Sequence, residues 1–332
     1  MPSTPSLVDP QGRVLRDLRI SVTDRCNLRC LYCMPFEGVA WLPKGDLLTF
    51  EEIARVAGLA VGLGVPGIRL TGGEPTVRAD LAVLVRQLRA LGPRLDLSLT
   101  TNGLRLVALA GDLRQAGLTR VNVSLDTLDR ARFQQIARRD CLDQVLAGLE
   151  AAKRVGFSPI KINAVLMRGV NDDEVVPLAA WARGQGYELR YIEWMPLDAQ
   201  HSWSTAKLVA AAEILERLGA AFPLEPLPGA DPNAPAERFR YLDGGGTVGV
   251  VASVTRAFCA RCDRIRLTAD GQIRTCLFAH KEHDLRTALR SGASDEDIAG
   301  LLRAATWKKE PGHLISQPGF QQPARGMSAI GG

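Results

Sequence analysis

Two hydrophobic patterns alternate over the first two thirds of the chain. Short segments of aliphatic and β-branched residues, with hydrophobic positions two apart or in unbroken runs, predict buried strands. Longer segments with hydrophobic residues three to four apart are typical of amphipathic helices and lie between the strands. The predicted strands are LRISVT (18–23), GIRLT (67–71), LDLSLT (95–100), RVNVSL (120–125), IKINAVL (160–166) and YELRYIEW (187–194).

The helical segments carry start and stop signals. In TFEEIARVAGLAVGL, Thr49 and Glu52 have the spacing of a capping box, and Gly92 with Pro93 ends DLAVLVRQLRALG. Alternating strands and helices indicate parallel strands with right-handed crossovers. Because six units are fewer than the eight of a closed barrel, we predict an α/β fold with a partial (β/α)6 TIM-like barrel rather than an open doubly wound sheet.

Short polar motifs follow the predicted strands. In parallel α/β folds ligands bind at the carboxyl ends of the strands, so we expect these motifs to meet at one rim, although each alone is also typical of a turn. They are DRCNLRC, GGEPT, TNG, SLD and MP. The motif GLGVPG matches G-x-G-x-x-G at Gly62, Gly64 and Gly67, but it follows a helix and precedes a strand. A dinucleotide site needs the reverse order.

Composition narrows the class of protein. The 332 residues are 46% hydrophobic and 23% charged, which is enough for a buried core. A net charge of +5 suits an anionic ligand but is too small to indicate nucleic-acid binding. No apolar run approaches the ~18 residues of a membrane span, and MPSTPSLVDPQG lacks the features of a signal peptide. We therefore expect a cytoplasmic protein, in which seven cysteines indicate metal ligands before disulfides.

The segment CNLRCLYC places Cys26, Cys30 and Cys33 within eight residues. Structural zinc sites and ordinary iron–sulfur clusters usually have four protein ligands, so a set of three leaves one coordination position open. A zinc site remains the alternative to an iron–sulfur cluster here. Cys141 has no partner at such a spacing, and we expect it to be an ordinary residue of a helical region.

A second set of three consists of Cys259, Cys262 and Cys276. His280 and His283 lie close in sequence, so a Cys3His zinc site is the alternative interpretation. The segment RIRLTADGQIRTC predicts a β-hairpin with Asp270 and Gly271 at its turn. Strict alternation places Arg264 and Arg266 on one face, with Ile265 and Leu267 on the other. Two guanidinium groups beside a cluster suit a phosphate or a purine edge, or else a solvated strand face.

The C-x3-C-x2-C spacing, with an aromatic residue before the last cysteine and GGEP after the second strand, resembles the radical S-adenosylmethionine superfamily. The resemblance implies that Cys26, Cys30 and Cys33 hold a [4Fe-4S] cluster whose open iron binds S-adenosylmethionine. An open iron allows the cofactor to bind directly, and a reduced cluster can pass one electron to its sulfonium. Gly72 and Gly73, which lack side chains, would let the backbone approach the methionine portion.

Over nearly the whole chain the sequence resembles one family, the GTP 3′,8-cyclases of molybdenum cofactor biosynthesis (protein A). Its motifs occur here in order: LRISVTDRCNLRCLYCMP, IRLTGGEPTVR, LTTNG, VNVSLDTLD, KINAVLMRGVND, RYIEWMP, FCARCDRIRLTADGQIRTCLF and the final IGG. The resemblance implies a second [4Fe-4S] cluster on Cys259, Cys262 and Cys276, open to the guanine of GTP. Asp263 stands where many members have Asn, which puts one contact near this cluster in doubt.

The resemblance also assigns roles to individual residues. The S-adenosylmethionine site would contain Tyr32, Gly72, Gly73, Glu74, Ser124 and Met195. GTP would be bound by Arg19, Arg69, Thr100, Lys161, Arg190, Arg264, Ile265 and Arg266. Catalytic positions would be Arg19, Arg264, Arg266, Gly331 and Gly332. Independently, an unpaired ammonium at Lys161 within an apolar strand would be costly, so it needs an anion; a carboxylate such as Glu193 is the alternative to GTP.

The implied reaction begins with one-electron cleavage of S-adenosylmethionine. The resulting 5′-deoxyadenosyl radical takes hydrogen from C3′ of GTP, C3′ attacks C8, and reduction gives 3′,8-cyclo-7,8-dihydro-GTP. Implied partners are GTP, an electron donor and the cyclic pyranopterin monophosphate synthase that receives the product. We expect a monomer or homodimer without nucleic-acid or membrane partners. We divide the chain into a core barrel (1–225) and an auxiliary cluster and GTP-binding region with β-hairpins (226–332).

Two other functions fit parts of the pattern. A radical enzyme acting on a peptide or another small molecule would share the first cluster, although many such relatives have more auxiliary cysteines. A zinc-ribbon protein would instead bind nucleic acid through its arginine hairpin in a salt-sensitive way. The tail ISQPGFQQPARGMSAIGG has the composition of a disordered end. The resemblance implies instead that Gly331 and Gly332 reach into the active site.

Overall fold

The computed structural model describes residues 6–198, 200–229, 231–315 and 317–331. The six predicted strands are present and parallel, from the first pair to the last. They are β1 Asp17–Ser21, β2 Gly67–Thr71, β3 Asp96–Thr101, β4 Arg120–Ser124, β5 Ile160–Leu166 and β6 Glu188–Glu193. The intervening helices are α1 Phe50–Gly62, α2 Leu81–Ala90, α3 Leu106–Gln115, α4 Arg130–Ala137, α5 Leu142–Arg154 and α6 Val175–Gln185.

The helix start and stop signals predicted from the sequence are confirmed. At the start of α1, the backbone N–H of Glu52 donates to the Thr49 hydroxyl at 3.1 Å, and the Thr49 N–H donates to the Glu52 carboxylate at 2.7 Å. Gly92 lies two residues beyond the end of α2. Gly62 closes α1 and Gly67 opens β2, so GLGVPG connects a helix to a strand. The order required for a dinucleotide fingerprint is therefore absent there.

The remaining elements extend both edges of the sheet. They are α7 Ala211–Ala221, β7 Leu224–Pro226, β8 Glu237–Tyr241, β9 Thr247–Val251, β10 Arg264–Leu267, β11 Gln272–Arg274, β12 His283–Asp284, α8 Arg286–Arg290, α9 Asp295–Thr306 and α10 Met327–Ile330. Strand β9 pairs in parallel with β6, and β10 pairs in parallel with β1. The strand order β12-β11-β10-β1-β2-β3-β4-β5-β6-β9-β8-β7 is linear, so the described sheet is an open, partial barrel, as predicted.

The hairpin predicted around Asp270 and Gly271 is also confirmed, since β10 and β11 pair antiparallel on either side of this turn. The expected division between residues 225 and 226 falls inside β7, and strands from both sides of it belong to one sheet. Among the described residues, no helix has both the length and the apolar character needed to cross a membrane.

Strand alternation determines what the barrel presents inside. In β1, Leu18 and Ile20 are fully buried in the hydrophobic core that the helices cover. Arg19 lies between them in sequence and points to the opposite side, where it lines the central cavity. The register places Arg19 beside Arg266 of β10 and Arg69 of β2. The barrel interior is therefore lined by charged residues, whereas its outside is packed with aliphatic ones.

Candidate active site

A cavity of about 300 Å3 lies at the carboxyl ends of the parallel strands. Motifs that are far apart in sequence meet there, as the rim prediction requires. Both cysteine triplets line it: Cys26, Cys30, Cys33, Cys259, Cys262 and Cys276. All seven cysteines of the chain are free thiols, and Cys141 is buried away from the cavity, at the start of α5.

The first triplet occupies a tight loop after β1. The N–H groups of Cys33 and Met34 both donate to the carbonyl of Cys30, at 2.9 and 3.0 Å. Burial raises the pKa of the three thiols, to about 11 for Cys26 and about 12 for Cys33, and neighbouring thiols add to the rise at Cys30 and Cys33. Three thiolates gathered here need a cationic partner. The donor set therefore fits an iron–sulfur cluster held by three cysteines.

Two glycines bring the exit of β2 against this loop. A Cβ at Gly72 would lie 2.5 Å from the carbonyl oxygen of Thr23, and one at Gly73 would lie 2.4 Å from that of Arg25. The Gly73 N–H donates to Thr23 at 2.8 Å. The absence of side chains at Gly72 and Gly73 thus allows the segments after β1 and β2 to pack closely. The sequence analysis did not identify this reason for the two glycines. Gly72 and Gly73 also line the cavity, as the resemblance implies for cofactor binding.

Glu74 is buried, and its carboxylate connects the exits of β2 and β3. Its carboxylate accepts from the Thr76 N–H at 3.0 Å, the Thr101 hydroxyl at 2.7 Å and the Asn102 N–H at 2.7 Å. Burial raises the pKa of Glu74, against these hydrogen bonds. Tyr32, Ser124 and Met195 also line the cavity, and the Tyr32 hydroxyl donates to Asp126 at 2.8 Å. The residues expected at the S-adenosylmethionine site therefore all line the same cavity.

The second triplet lies in a more cationic environment. Burial alone would raise the pKa of Cys262, but Arg264 and Lys309 reverse this effect and lower it to about 7. The pKa of Cys259 is also lowered, because the contact with His313 outweighs burial. The Lys309 ammonium donates to the carbonyl of Arg264 at 2.8 Å. Sequence reasoning missed His313 and Lys309, whose only signal is a Pro-Gly-His segment far from CARC.

The geometry does not support the zinc alternatives. His280 is exposed, His283 lies on β12, and neither lines the cavity. Within the described ranges, no three His, Cys, Asp or Glu side chains come close enough to hold a single metal ion. Zinc requires its ligands within ~2.3 Å of one centre, whereas a four-iron cluster is larger and separates its thiolates further. In the part of the chain that the structure describes, neither triplet is therefore arranged as a compact site for a single ion.

Five arginines form a cationic part of the cavity wall, called the arginine wall below. The cavity is lined by Arg19, Arg69, Arg190, Arg264 and Arg266. Burial and the neighbouring Arg264 lower the pKa of Arg266 to about 10. The buried Nε atoms of Arg69 and Arg264 have no hydrogen-bond partner in the described structure. Because buried donors are nearly always paired, an anionic acceptor in the cavity fits these groups.

Asp17 and Phe258 contact three of the cavity arginines. Asp17 accepts from Arg19 at 3.4 Å and lies 3.8 Å from Arg69. Arg264 stacks over Phe258, with its guanidinium carbon 4.5 Å from the ring centre. These contacts set the direction of the guanidinium groups before any ligand arrives. Thr100 lines the same cavity, and so does Asn163, which was not predicted.

Lys161 and Ile265 differ from the other residues expected to bind GTP, because neither side chain lines the cavity. The Lys161 ammonium lies 3.5 Å from Glu188, so the suggestion that Glu193 is its carboxylate partner is wrong. Glu193 is fully buried and accepts instead from the N–H groups of Ala211, Val254 and Thr255, at 2.7–2.8 Å. Glu188 lies deeper in the barrel and starts β6. Ile265 is 1% exposed and packs in the hydrophobic core, which leaves only its backbone for a ligand.

The chain end reaches the cavity wall. The carbonyl of Gly331 accepts a hydrogen bond from Arg266, and a Cβ at Gly331, whose φ is +72°, would lie 2.6 Å from the Thr71 hydroxyl. Gly332 lies outside the described residues. Asp263 does not line the cavity; its carbonyl accepts from the N–H groups of Arg16 and Asp17, which joins the second cysteine segment to β1.

Comparison with known families agrees with this geometry. The radical SAM superfamily profile matches residues 20–182, and the molybdenum cofactor synthesis C profile matches residues 187–315. The crystal structure of Streptococcus suis SuiB bound to S-adenosylmethionine superposes with a TM-score of 0.62 at 14% identity. The superposition covers 95% of this chain and 78% of SuiB, which supports the radical SAM fold.

Curated relatives match over nearly the full length. The GTP 3′,8-cyclase of Streptomyces coelicolor is 55% identical, covering 98% of this chain and 96% of the relative. The GTP 3′,8-cyclase of Paenarthrobacter nicotinovorans is 51% identical, covering 98% of this chain and 97% of the relative. Identity of this size over whole chains, together with both family profiles, shows that the protein belongs to the GTP 3′,8-cyclase family of the radical SAM superfamily.

Proposed function

We propose that this chain converts GTP to (8S)-3′,8-cyclo-7,8-dihydroguanosine 5′-triphosphate, the first step of molybdenum cofactor biosynthesis. One observation carries the proposal: a single cavity is lined by two separate cysteine triplets and by five arginines. The reaction needs a radical source and a polyanion site within reach of each other. The named relatives and both family profiles support the same assignment.

The triplets would hold two [4Fe-4S] clusters. Cys26, Cys30 and Cys33 leave one iron open for S-adenosylmethionine, in contact with Tyr32, Gly72, Gly73, Glu74, Ser124 and Met195. When bound, this pair supplies the carbon-centred radical that removes hydrogen from the substrate. The chain's share is to place the loop after β1 against the exits of β2 and β3. Glu74 maintains this arrangement through hydrogen bonds to both exits.

The arginine wall would bind the triphosphate of GTP. Arg19, Arg69 and Arg190 stand on neighbouring or facing strands, and the unpaired Nε of Arg69 is ready to donate to a phosphate oxygen. Arg264 and Arg266 lie on β10, between Cys262 and Cys276 in sequence, so they would hold the nucleotide with its guanine toward the second triplet. The remaining GTP positions in this assignment are Thr100, Lys161 and the backbone of Ile265.

This placement would direct the ribose toward the first triplet. Hydrogen leaves C3′, a bond forms between C3′ and C8, and one electron with one proton completes the dihydroguanine ring. Positioning accounts for most of the rate, because a misplaced C3′ loses the geometry for hydrogen transfer. Ligands that fill the cavity would also keep water away from the radical.

Gly331 and Gly332 would complete the substrate side of the cavity. The hydrogen bond from Arg266 to the Gly331 carbonyl places the tail on a residue assigned to GTP. A side chain at Gly331 would collide with Thr71, so the position requires glycine. Together with residues 226–332, which contribute the second triplet and β10, the tail forms the auxiliary and GTP-binding part of the chain.

The assignment also concerns the partners, the location and the oligomeric state of the protein. The product would pass to the cyclic pyranopterin monophosphate synthase, and an external donor would supply electrons. We also propose a cytoplasmic location, because seven free cysteines suit a reducing compartment. We propose a monomer or homodimer.

Anaerobic incubation tests the proposal. Protein reconstituted with iron and sulfide is mixed with S-adenosylmethionine, GTP and dithionite, and the products are separated by mass. We expect methionine, 5′-deoxyadenosine and the cyclised nucleotide. A protein that binds one zinc ion per triplet and forms no 5′-deoxyadenosine would contradict the assignment.

A further inference from the structure

The outer side of the first cysteine loop is covered by a basic and aromatic surface. We call it the R-patch; it consists of Arg25, Arg29, Phe36, Trp41, Arg138 and Arg139. Arg29 donates to the carbonyl of Cys26 at 2.9 Å, and Arg139 lies 3.4 Å from the carbonyl of Asn27. The three thiols point inward and line the cavity. None of the R-patch residues lines that cavity, so the cysteine loop presents its thiols to the cavity and the R-patch outside it.

The aromatic members give this surface a defined shape. The Phe36 side chain is 69% exposed, and the Arg138 guanidinium stacks 5.3 Å from its ring centre. Arg29 stacks 5.2 Å from the ring of Trp41.

Backbone bonds hold the surface together. The N–H of Arg29 donates to the carbonyl of Ala137 at 3.2 Å, and the N–H of Leu31 donates to that of Ile136 at 3.0 Å. These bonds fasten the cysteine loop to the end of α4. The residue that follows α4, Arg138, adopts a left-handed conformation with φ of +57°, which starts the turn toward Arg139.

The charges of the R-patch are not neutralised within the chain. Nearby Arg130 and Arg132 pair with Asp140, Asp143, Asp173 and Glu174. By contrast, none of the four R-patch arginines forms an ion pair with another described residue, and the Nη1 atom of Arg138 has no hydrogen-bond partner there. Unpaired cations around an exposed aromatic ring suit an acidic protein surface.

We propose that the R-patch is the docking surface for a small acidic electron-carrier protein, which delivers single electrons to the cluster held by Cys26, Cys30 and Cys33. This rests on the proposed function, which consumes an electron that the chain cannot itself generate. The carrier is oxidised by one electron and the cluster is reduced by one, and no bond between the two proteins is required. Docking here leaves only the cysteine loop between the two redox centres. An RNA or another polyanion would lack this reason to sit on that loop.

Charge reversal at two exposed positions tests the docking surface. Arg25 and Arg139 are exposed and have no role in the cavity. We compare wild type with R25E/R139E, measuring binding of an acidic flavodoxin by calorimetry at low and high salt. We expect at least about tenfold weaker binding in the variant at low salt, with the difference shrinking as salt screens it. Formation of 5′-deoxyadenosine with reduced flavodoxin should fall in parallel, whereas formation with dithionite should not change.

Two matched variants control for net charge and for the other cluster. R94E/R154E makes the same double charge reversal at exposed positions beyond α2 and at the end of α5, and it should leave flavodoxin binding unchanged. R256E lies on the exposed segment before the second triplet, and a loss there but not in R25E/R139E would overturn the proposal. Equal flavodoxin affinity in wild type and R25E/R139E would also overturn it, as would tighter patch-dependent binding of a polynucleotide. Because calorimetry does not need turnover, an inactive wild type would contradict the proposed function alone.

Discussion

Replacing Arg13 with alanine should destabilise the protein severely and loosen the second cysteine triplet. Arg13 is buried near the start of the chain, where its Nε donates to the Asp9 carboxylate at 2.5 Å. Its other nitrogens donate to the carbonyls of Cys259 at 2.6 Å, Glu310 at 2.6 Å and Pro311 at 3.0 Å. One side chain therefore connects the N-terminal segment to a cysteine ligand and to the segment that bears His313.

The size of the effect follows from burial. R13A leaves the Asp9 carboxylate, which is 1% exposed, without its cationic partner. It also removes a donor from three carbonyls, of which that of Cys259 still accepts from the Cys262 N–H at 3.1 Å. Removing one partner of a buried ion pair costs about 3–5 kcal/mol. Asp9 still accepts from the N–H groups of Gln11 and Arg13, at 3.0 and 2.9 Å, so we expect the lower end, about 3 kcal/mol.

Urea unfolding of the metal-free protein, followed by circular dichroism, measures this loss. R290A is the matched control, because Arg290 also binds Glu52 and two carbonyls but is exposed, and its loss should cost at most about 1 kcal/mol. After reconstitution, R13A should also retain less iron at the second triplet by electron paramagnetic resonance. If R13A is no less stable than R290A, Arg13 does not connect these segments as described.

Further predictions concern the cavity. R264A or R266A should weaken GTP binding by ~1.5–3 kcal/mol, the scale for a hydrogen bond to a charged group, and leave S-adenosylmethionine binding almost unchanged. Equal GTP affinity by calorimetry would refute this. Deleting Gly331 and Gly332 should preserve both clusters and GTP binding but lower GTP conversion ~100-fold, whereas a full conversion rate would show that the tail is not needed. Burial and Arg190 lower the pKa of Lys161 to about 7, against the opposite effect of its partner Glu188, and in the proposed function a triphosphate bound near Lys161 would raise this pKa. Binding heats in buffers of different ionisation enthalpy should show proton uptake above pH 7 that K161M abolishes.

Much of this architecture could be predicted from local sequence. Period-two alternation placed Arg264 and Arg266 on one face, and the structure directs both into the cavity. The strand exits carried their polar motifs in order, and parallel strands bring such exits together. The cysteine spacings indicated two triplets, because ligands in one short loop need no knowledge of the fold.

Contacts between distant segments were not predictable in the same way. Lys161 pairs with Glu188 rather than Glu193 because register places Glu188 directly beside it on the next strand, and register is set by the whole sheet. Arg13 reaches Cys259 across 246 residues of sequence. Strands β9 and β10 pair with β6 and β1, at opposite ends of the row of six parallel strands β1–β6. No local pattern within residues 226–332 encodes this placement.

The central claim is that the cavity holds GTP with its C3′ toward the first cysteine triplet. GTP deuterated at C3′ tests it most directly, in reconstituted protein under anaerobic conditions with S-adenosylmethionine and a reductant. We predict that deuterium moves into 5′-deoxyadenosine while the cyclised nucleotide forms, and that C26A, C30A and C33A each abolish the transfer. Unlabelled 5′-deoxyadenosine alongside cyclised product, or transfer that survives loss of Cys26, Cys30 or Cys33, would contradict the account.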